Sequence, residues 1–462
     1  MQQLSGDIHP RKTLLAYGCF ALPLSLAELP LIVYLPTFYA KERGMELVTI
    51  GLIFTLARLW DGLTDILVGR YSDRWSQRFG GRKTWAMVGT PPLLFGTWYL
   101  FNPPEQIDAL YLSVWLIVFY TSLTICKIPY WSWGAELATD YQQRNRVASF
   151  REGSSMVALF VFASAPLFIL QEGASIESIL GLYAILVAGF LLLTIMPLAT
   201  QVPTPKLTSA GSEKLWSDLL AIKNNPSMLL FGSVVLLVMT GVSVISSSAI
   251  FLIDVGLSLP DAMLKFIFIQ QCLGLLSIPL LMFFSNRFGK HKVYRFCVFM
   301  MILFYLYCLW IPSGNFFAAL MFFACMSIPN TGISVLLLSI VSDIVDYDTA
   351  KTGVYRPGVY FSMLNLVIKL GTALGIGINF WLLDLLNFDP AAAEHSANDV
   401  LNVRLVALLI PVALYLPVLW ILKKYPINKH YHGELRREIE EKKQVNSDRE
   451  NAADTPSVLS DA

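Results

Sequence analysis

Long apolar blocks separated by short polar connections set the pattern of this chain. Twelve such blocks lie at roughly 13–39, 47–70, 84–101, 109–135, 150–170, 178–199, 227–253, 262–285, 293–312, 315–342, 357–386 and 402–423. Each is long enough to cross a bilayer as a helix. Their apolar residues are continuous rather than alternating, which predicts helices and argues against a β-barrel. Several blocks exceed a bare span, so these helices are expected to tilt or to project past the bilayer.

The polar connections carry a second pattern. The N-terminal stretch, the connections after even-numbered spans and the C-terminal tail are rich in Lys and Arg; Arg70, Arg74, Arg78, Arg82 and Lys83 all lie between spans 2 and 3. The opposite connections hold few, namely Lys41, Arg43, Lys265 and Arg404. Positive charge marks the cytoplasmic side, so both termini are expected there. The first block runs on too long, and lacks the small-residue cleavage site, for a removable leader. Residues 200–226 are polar and rich in Pro, Ser and Gly. They divide the chain into residues 1–199, with six spans, and 227–423, with six more; 424–462 read as a charged cytoplasmic tail, partly disordered. The halves echo each other: SDRWSQRFGGRK (72–83) follows span 2 and SNRFGKHK (285–292) follows span 8. The expected fold is an all-α polytopic membrane protein, of the major facilitator type. Its twelve transmembrane helices form two six-helix halves, with a site at midplane between them.

Composition narrows the function. Hydrophobic residues make up 55% of the chain and charged residues only 15%, below the roughly 25% usual in soluble domains. A net charge of +1 argues against a nucleic-acid partner. Cys19, Cys126, Cys272, Cys297, Cys308 and Cys325 all lie inside apolar blocks without paired spacing, and read as small core residues. The histidines have no ligand spacing, and no nucleophile–base or metal constellation appears. An enzyme is therefore not expected, and neither is a cofactor beyond a coupling Na⁺ or H⁺.

Charges inside the apolar blocks point to chemistry, because they are costly at membrane depth. ARLWDGLTD (57–65) puts Arg58, Asp61 and Asp65 on one face of span 2, with Thr64 beside them. Two close carboxylates repel unless a cation or a shared proton lies between them. A simple Arg58–Asp61 bridge accounts for one aspartate and leaves Asp65 unexplained, so a cation site is the favoured reading. Glu28 lies mid-span 1, Lys127 near the middle of span 4 and Lys369 in span 11. Lys127 is too deep to snorkel to water and needs a carboxylate partner or an anionic ligand. Lys369 belongs to the second half and is in position to neutralise the aspartate pair from across the bundle. Trp131 follows Lys127 and offers a flat face to a sugar ring or a quaternary amine, against the usual role of an interface anchor, which is preferred for Trp133. Pro30 and Pro129 are expected to kink their spans. Gly371, Gly375 and Gly377 give span 11 a small face for close helix contact.

Taken in order, four motifs resemble the glycoside–pentoside–hexuronide:cation symporters of the major facilitator superfamily. ARLWDGLTD resembles the family's span-2 cation motif and GRYSDRWSQRFGGRKTW the basic loop after it. KIPYWSWGAEL with RNRVASFRE resembles the signature from span 4 to span 5. VSDIVDYDTAKTG with NLVIKLG resembles the one from span 10 to span 11. The resemblance implies that Asp61 and Asp65 bind the cation and that Thr124 completes that site; Thr64, next to the pair, stands where the family has an asparagine. It implies that Arg151 binds the sugar, that Trp131 stacks on it, and that Lys369, with Arg58 nearby, couples the two sites. It also implies a monomer in a bacterial inner membrane. The departures matter as much. Ser25 stands where melibiose-type members have a sugar-binding aspartate, with Glu28 one turn on. Lys127 stands where they have a second one. A lysine there points to an anionic substrate such as a uronate or a sulfonated sugar, with Arg151 sharing the anion; alternatively, Lys127 pairs internally with Glu28 and leaves a neutral pocket.

The expected activity is cation-coupled symport of a sugar or sugar derivative by alternating access. Asp73 and Arg74 are expected to help clamp the outward-facing state. Two other readings stand beside it: a sodium-dependent lysophospholipid-type transporter of the same fold, and a non-transporting membrane sensor.

Overall fold

A computed structural model of the chain describes residues 10–76, 81–137, 141–171, 174–204, 225–260, 262–352, 357–392 and 394–423. Most of the central linker and all of the C-terminal tail thus lie outside the described residues, as do the side chains of Asp73 and Arg74. Among the described residues the chain is helical throughout, with no strand. Eleven helical stretches are long and apolar enough to cross a membrane. The twelfth expected span is the helix Arg82–Phe101, whose basic first turn and Pro91–Pro92 lower its hydropathy.

The helices depart from the apolar blocks in instructive places. Span 1 is three pieces, Arg11–Cys19, Ala21–Val33 and Leu35–Lys41. Pro30 lies inside the second piece, four residues before the break at Tyr34, and Pro36 opens the third, where a missing N–H costs nothing. Pro129 does not interrupt its helix, Ala109–Glu136. Span 5 starts at Tyr141 and span 10 runs on to Thr352, both past their apolar blocks. Hydropathy marks the thickness of lipid, whereas a helix continues into water wherever the backbone allows it. Spans 7 and 12 each contain a short π-helical turn, Leu252–Gly256 and Leu405–Leu409.

Side chains facing outward are largely apolar: Phe168, Leu193, Met196, Leu276, Trp310 and Trp420 are all exposed. Such a surface suits hydrocarbon, not water. The two halves meet where span 11 (Pro357–Leu385) lies between span 2 (Leu47–Ser76) and span 7 (Pro226–Phe251). Small residues make the approach possible. A Cβ on Gly371 would lie 2.8 Å from Met239 Cβ, one on Gly375 2.4 Å from the Thr240 carbonyl oxygen, and one on Gly377 2.8 Å from Thr55 Oγ1. Polar contacts pin span 11 on both sides: across the halves Thr55 donates to the Ala373 carbonyl (3.2 Å), and within the second half Ser243 donates to the Thr372 carbonyl (2.8 Å) and Ser248 to Asn379. This seam holds span 11, with Lys369, against the aspartates of span 2.

Candidate functional site

Span 4 supplies one wall. Tyr120, Thr124, Lys127 and Trp131 follow i, i+4, i+7, i+11 spacing and so share one helix face. Span 2 sets Arg58, Asp61 and Asp65 opposite. Span 1 adds Ser25 and Glu28, span 5 adds Arg151, and span 11 adds Lys369.

The two aspartates are held from both halves of the molecule. Lys369 Nζ lies 2.8 Å from Asp61 Oδ2 and 2.6 Å from Asp65 Oδ2, and also donates to the Asp61 backbone carbonyl at 3.3 Å. Thr124 Oγ1 lies 3.2 Å from Asp61 Oδ1 and 3.0 Å from Asp65 Oδ1. A hydroxyl has one proton, so it donates to one of these oxygens at a time. Three oxygens thus converge beside an ammonium: two carboxylate oxygens and one hydroxyl. This is hard-ligand chemistry, suited to Na⁺ or to a shared proton. Among the described residues no three His, Cys, Asp or Glu side chains gather as they would for a transition metal.

Arg58 extends the cluster toward span 1. Its Nη1 lies 3.5 Å from Asp61 Oδ2 and 3.9 Å from Glu28 Oε1, and its guanidinium lies over the Tyr120 ring at 4.9 Å. Glu28 Oε2 in turn accepts from Lys127 at 2.6 Å. Of the two readings of Lys127, the internal pair with Glu28 is therefore formed in this structure. The pair is not sealed: Lys127 is 26% exposed and Glu28 23%. Lys127 and Arg151 both lie over the Trp131 ring, at 5.2 and 5.4 Å, so two cations share one indole. Arg151 is bound by its neighbour Glu152, which accepts from Nε at 3.1 Å and Nη2 at 2.7 Å. Ser25 donates to Ser155 at 3.0 Å.

Thr64 makes no hydrogen bond to the aspartate carboxylates, and the reading of Trp133 needs correction. Thr64 is buried, and its hydroxyl donates to the Asp61 backbone carbonyl at 3.0 Å. On a helix interior, the carbonyl a turn back competes for a threonine proton, and here it wins. Trp133 is no interface anchor: it is fully buried and its indole N–H donates to the Pro203 carbonyl at 3.0 Å. The remaining predicted residues come together as a continuous set. Tyr120, Glu152 and Ser155 belong to it as well and were not singled out from the sequence. The i+4 spacing of Tyr120 to Thr124, and of Arg151 to Ser155, is the signal that marks them.

A cavity of about 320 Å³ lies elsewhere, between the halves, with Tyr34, Pro166, Leu170, Ile250 and Asp254 in its wall. It includes none of the charged residues above. The salt bridge from Lys41 to Asp254, 3.6 Å, joins the two halves at the same end.

Residues 16–429 match the family described as MFS/sugar transport protein. The chain is 22% identical over 454 residues to the glucuronide carrier protein homolog of Escherichia coli (strain K12), covering 96% of this chain and 97% of that protein. It is also 22% identical over 406 residues to the inner membrane symporter YicJ of the same organism, covering 85% and 87%. The solved structure of the nucleoside transporter NupG shares the fold, with a TM-score of 0.64 at 14% identity over 90% of this chain and 99% of that one. The resemblance to glycoside–pentoside–hexuronide:cation symporters, first carried by four motifs, extends along nearly the whole chain. This chain is a membrane transporter, not an enzyme, and it belongs to the MFS/sugar transport protein family.

Proposed function

We propose that this transporter is a symporter that couples Na⁺ or H⁺ entry to uptake of an anionic sugar derivative across a bacterial inner membrane. The observation that carries the reading is the convergence of Asp61 Oδ1, Asp65 Oδ1 and Thr124 Oγ1 beside a lysine from the opposite half, which holds the Oδ2 atoms of the same two aspartates. A cation there takes over the neutralisation of both carboxylates and competes with Lys369. Because Lys369 belongs to span 11 and the aspartates to span 2, occupancy of the site alters the attraction between the halves. That is what coupling requires: each ligand must favour the conformation the other favours.

The substrate's place in this reading is the wall formed by Lys127, Trp131 and Arg151, with Ser25 and Glu28 beside it. Trp131 offers the ring face, and the two cations over it favour an anionic group on the sugar. The names of the relatives support the class: a glucuronide is a sugar acid, and the glucuronide carrier homolog matches nearly end to end. The connections rich in Lys and Arg support cytoplasmic termini. Nothing in the site requires a second copy of the chain, so the working unit proposed is the monomer.

The test is uptake of radiolabelled glucuronate into proteoliposomes under an imposed inward Na⁺ or H⁺ gradient. Accumulation above equilibrium, lost in Asp65→Asn, supports the reading. Equilibration unaffected by either gradient contradicts it, and uptake of a lysophospholipid in preference to glucuronate reassigns the substrate.

A further inference from the structure

The ion pairs of the site form one unbroken chain of alternating sign. Asp65 meets Lys369 at 2.6 Å and Lys369 meets Asp61 at 2.8 Å; Asp61 meets Arg58 at 3.5 Å, Arg58 meets Glu28 at 3.9 Å, and Glu28 meets Lys127 at 2.6 Å. The links at both ends are tight and the two in the middle are long. Arg58 is the undercommitted member. Its side chain is 5% exposed, yet no carboxylate oxygen comes closer than 3.5 Å. Its Nε has no hydrogen-bond partner, and neither has the hydroxyl of Tyr120, the ring it lies over. A buried guanidinium normally takes short, bidentate bonds to one carboxylate. This one is shared between two and committed to neither.

We propose that this chain of charges is the coupling device: a cation at Asp61 and Asp65 shifts Arg58 toward Glu28, which releases Lys127 to bind the anionic group of the substrate. The inference rests on the symport reading above and adds a route and a charge stoichiometry to it. The route follows from Coulomb's law at short range in a medium of low dielectric. A cation between the aspartates weakens the pull of Asp61 on Arg58. Arg58 then falls to Glu28, its other neighbour. Glu28, now doubly compensated, holds Lys127 less tightly. Lys127 is the end of the chain and its most exposed cation, 26% against 19% for Lys369 and 5% for Arg58, so it is the cation an anionic substrate reaches first. An incoming carboxylate or sulfonate completes the exchange.

The stoichiometry follows from the balance of the cluster. Glu28, Asp61 and Asp65 face Arg58, Lys127 and Lys369, and these charges cancel. One monovalent cation together with one monoanion leaves the balance at zero. A cation with a neutral sugar leaves one uncompensated positive charge within the bundle, which is unfavourable. The device therefore selects a monoanion and moves it with one cation, with no net charge crossing the membrane.

The experiment uses the purified full chain in detergent and a pair of probes matched except in charge: p-nitrophenyl glucuronide and p-nitrophenyl glucoside, with a 6-sulfonated glucoside as a second monoanion. Binding is measured by calorimetry, with Na⁺ replacing choline at fixed pH and with pH lowered in choline. Melting temperature reports cation binding separately. The expected result is that the cation tightens binding of the monoanions about tenfold or more and leaves the glucoside unaffected. In Arg58→Gln the cation still raises the melting temperature but no longer tightens glucuronide binding. In Glu28→Gln glucuronide binds tightly without the cation. If that variant fails to fold because Lys127 is left unpaired, Glu28→Gln/Lys127→Gln keeps the site balanced; it must retain the cation-induced melting shift and lose the preference for glucuronide. Retained tightening in Arg58→Gln overturns the route. Equal tightening of glucoside overturns the stoichiometry while leaving cation symport intact. A wild-type chain indifferent to both cations in every arm overturns the symport reading and this inference with it.

Discussion

At the scale of single residues, the site turns on how few partners each charge has. Among the described residues, Thr124 is the one whose hydroxyl bonds both aspartates. Removing it leaves the carboxylates without that donor and the proposed cation site without one ligand, a loss of about 1.5–3 kcal/mol for a hydrogen bond to a charged group. Thr124→Ala should weaken cation binding by roughly tenfold or more, read from the cation concentration that half-raises the melting temperature, while Thr124→Ser should stay near wild type. Lys369 is the stronger case. Lys369→Ala leaves two buried carboxylates facing each other, at a cost on the order of 3–5 kcal/mol. The variant should melt markedly earlier in choline at neutral pH and be rescued by the coupling cation, with uptake no longer driven by a cation gradient. A variant that melts like wild type without the cation would show that Lys369 is not the aspartates' counter-charge. Most of these residues are legible in sequence because a charge inside an apolar block needs a reason. Arg58's contact with Glu28 is not, because it depends on how span 1 is rotated against span 2. Trp133 was misread for a similar reason: the Pro203 carbonyl it bonds lies 70 positions away along the chain.

At the scale of helices, what places Lys369 is the close approach of span 11. Gly375 makes the argument sharp, because a Cβ there would sit 2.4 Å from the Thr240 carbonyl oxygen and 2.5 Å from Ser243 Cβ. Backbone cannot yield cheaply, so Gly375→Leu should lower stability by about 1–3 kcal/mol or more. It should also displace span 11 from span 7, disturb the contacts of Lys369 with the aspartates and change the cation-induced melting shift. Gly153 is the contrast: nothing lies within 4 Å of a Cβ there, and Gly153→Ala should be neutral or stabilising by up to about 1 kcal/mol. Equal effects at the two positions would contradict the packing account. The small face of span 11 was legible as spacing of glycines. Which helix it packs on was not, since the same spacing serves any neighbour. The helix ends at Tyr141 and Thr352 were also invisible to hydropathy, because polar residues continue those helices beyond the apolar blocks.

At the scale of the whole molecule, the proposed alternating-access cycle has the two halves rock about the site, so it predicts that a link fixing them stops transport. Lys41 and Asp254 join the halves at the end lined by Tyr34 and Ile250. With Lys41 42% exposed, the bridge contributes at most about 1 kcal/mol, so Lys41→Ala alone should change the melting temperature little. A bifunctional thiol reagent joining Lys41→Cys to Asp254→Cys, in a chain whose native cysteines are replaced, should abolish uptake. A cleavable reagent should allow recovery once reduced. Uptake that persists through the cross-link would mean the halves do not separate there. The helical membrane fold was legible in the chain because lipid imposes a long apolar block on every crossing, and the family was legible in the four motifs. The charge balance of the site was not, because it emerges only when spans 1, 2, 4 and 11 bring their side chains together.

The most direct measurement follows two fluxes in the same proteoliposomes: labelled glucuronide, and either labelled Na⁺ or internal pH. The structure leads us to expect glucuronide accumulation accompanied by one cation per molecule, with neither flux in Asp65→Asn. Glucuronide that enters to equilibrium with no cation flux, in wild type and variant alike, would contradict the account.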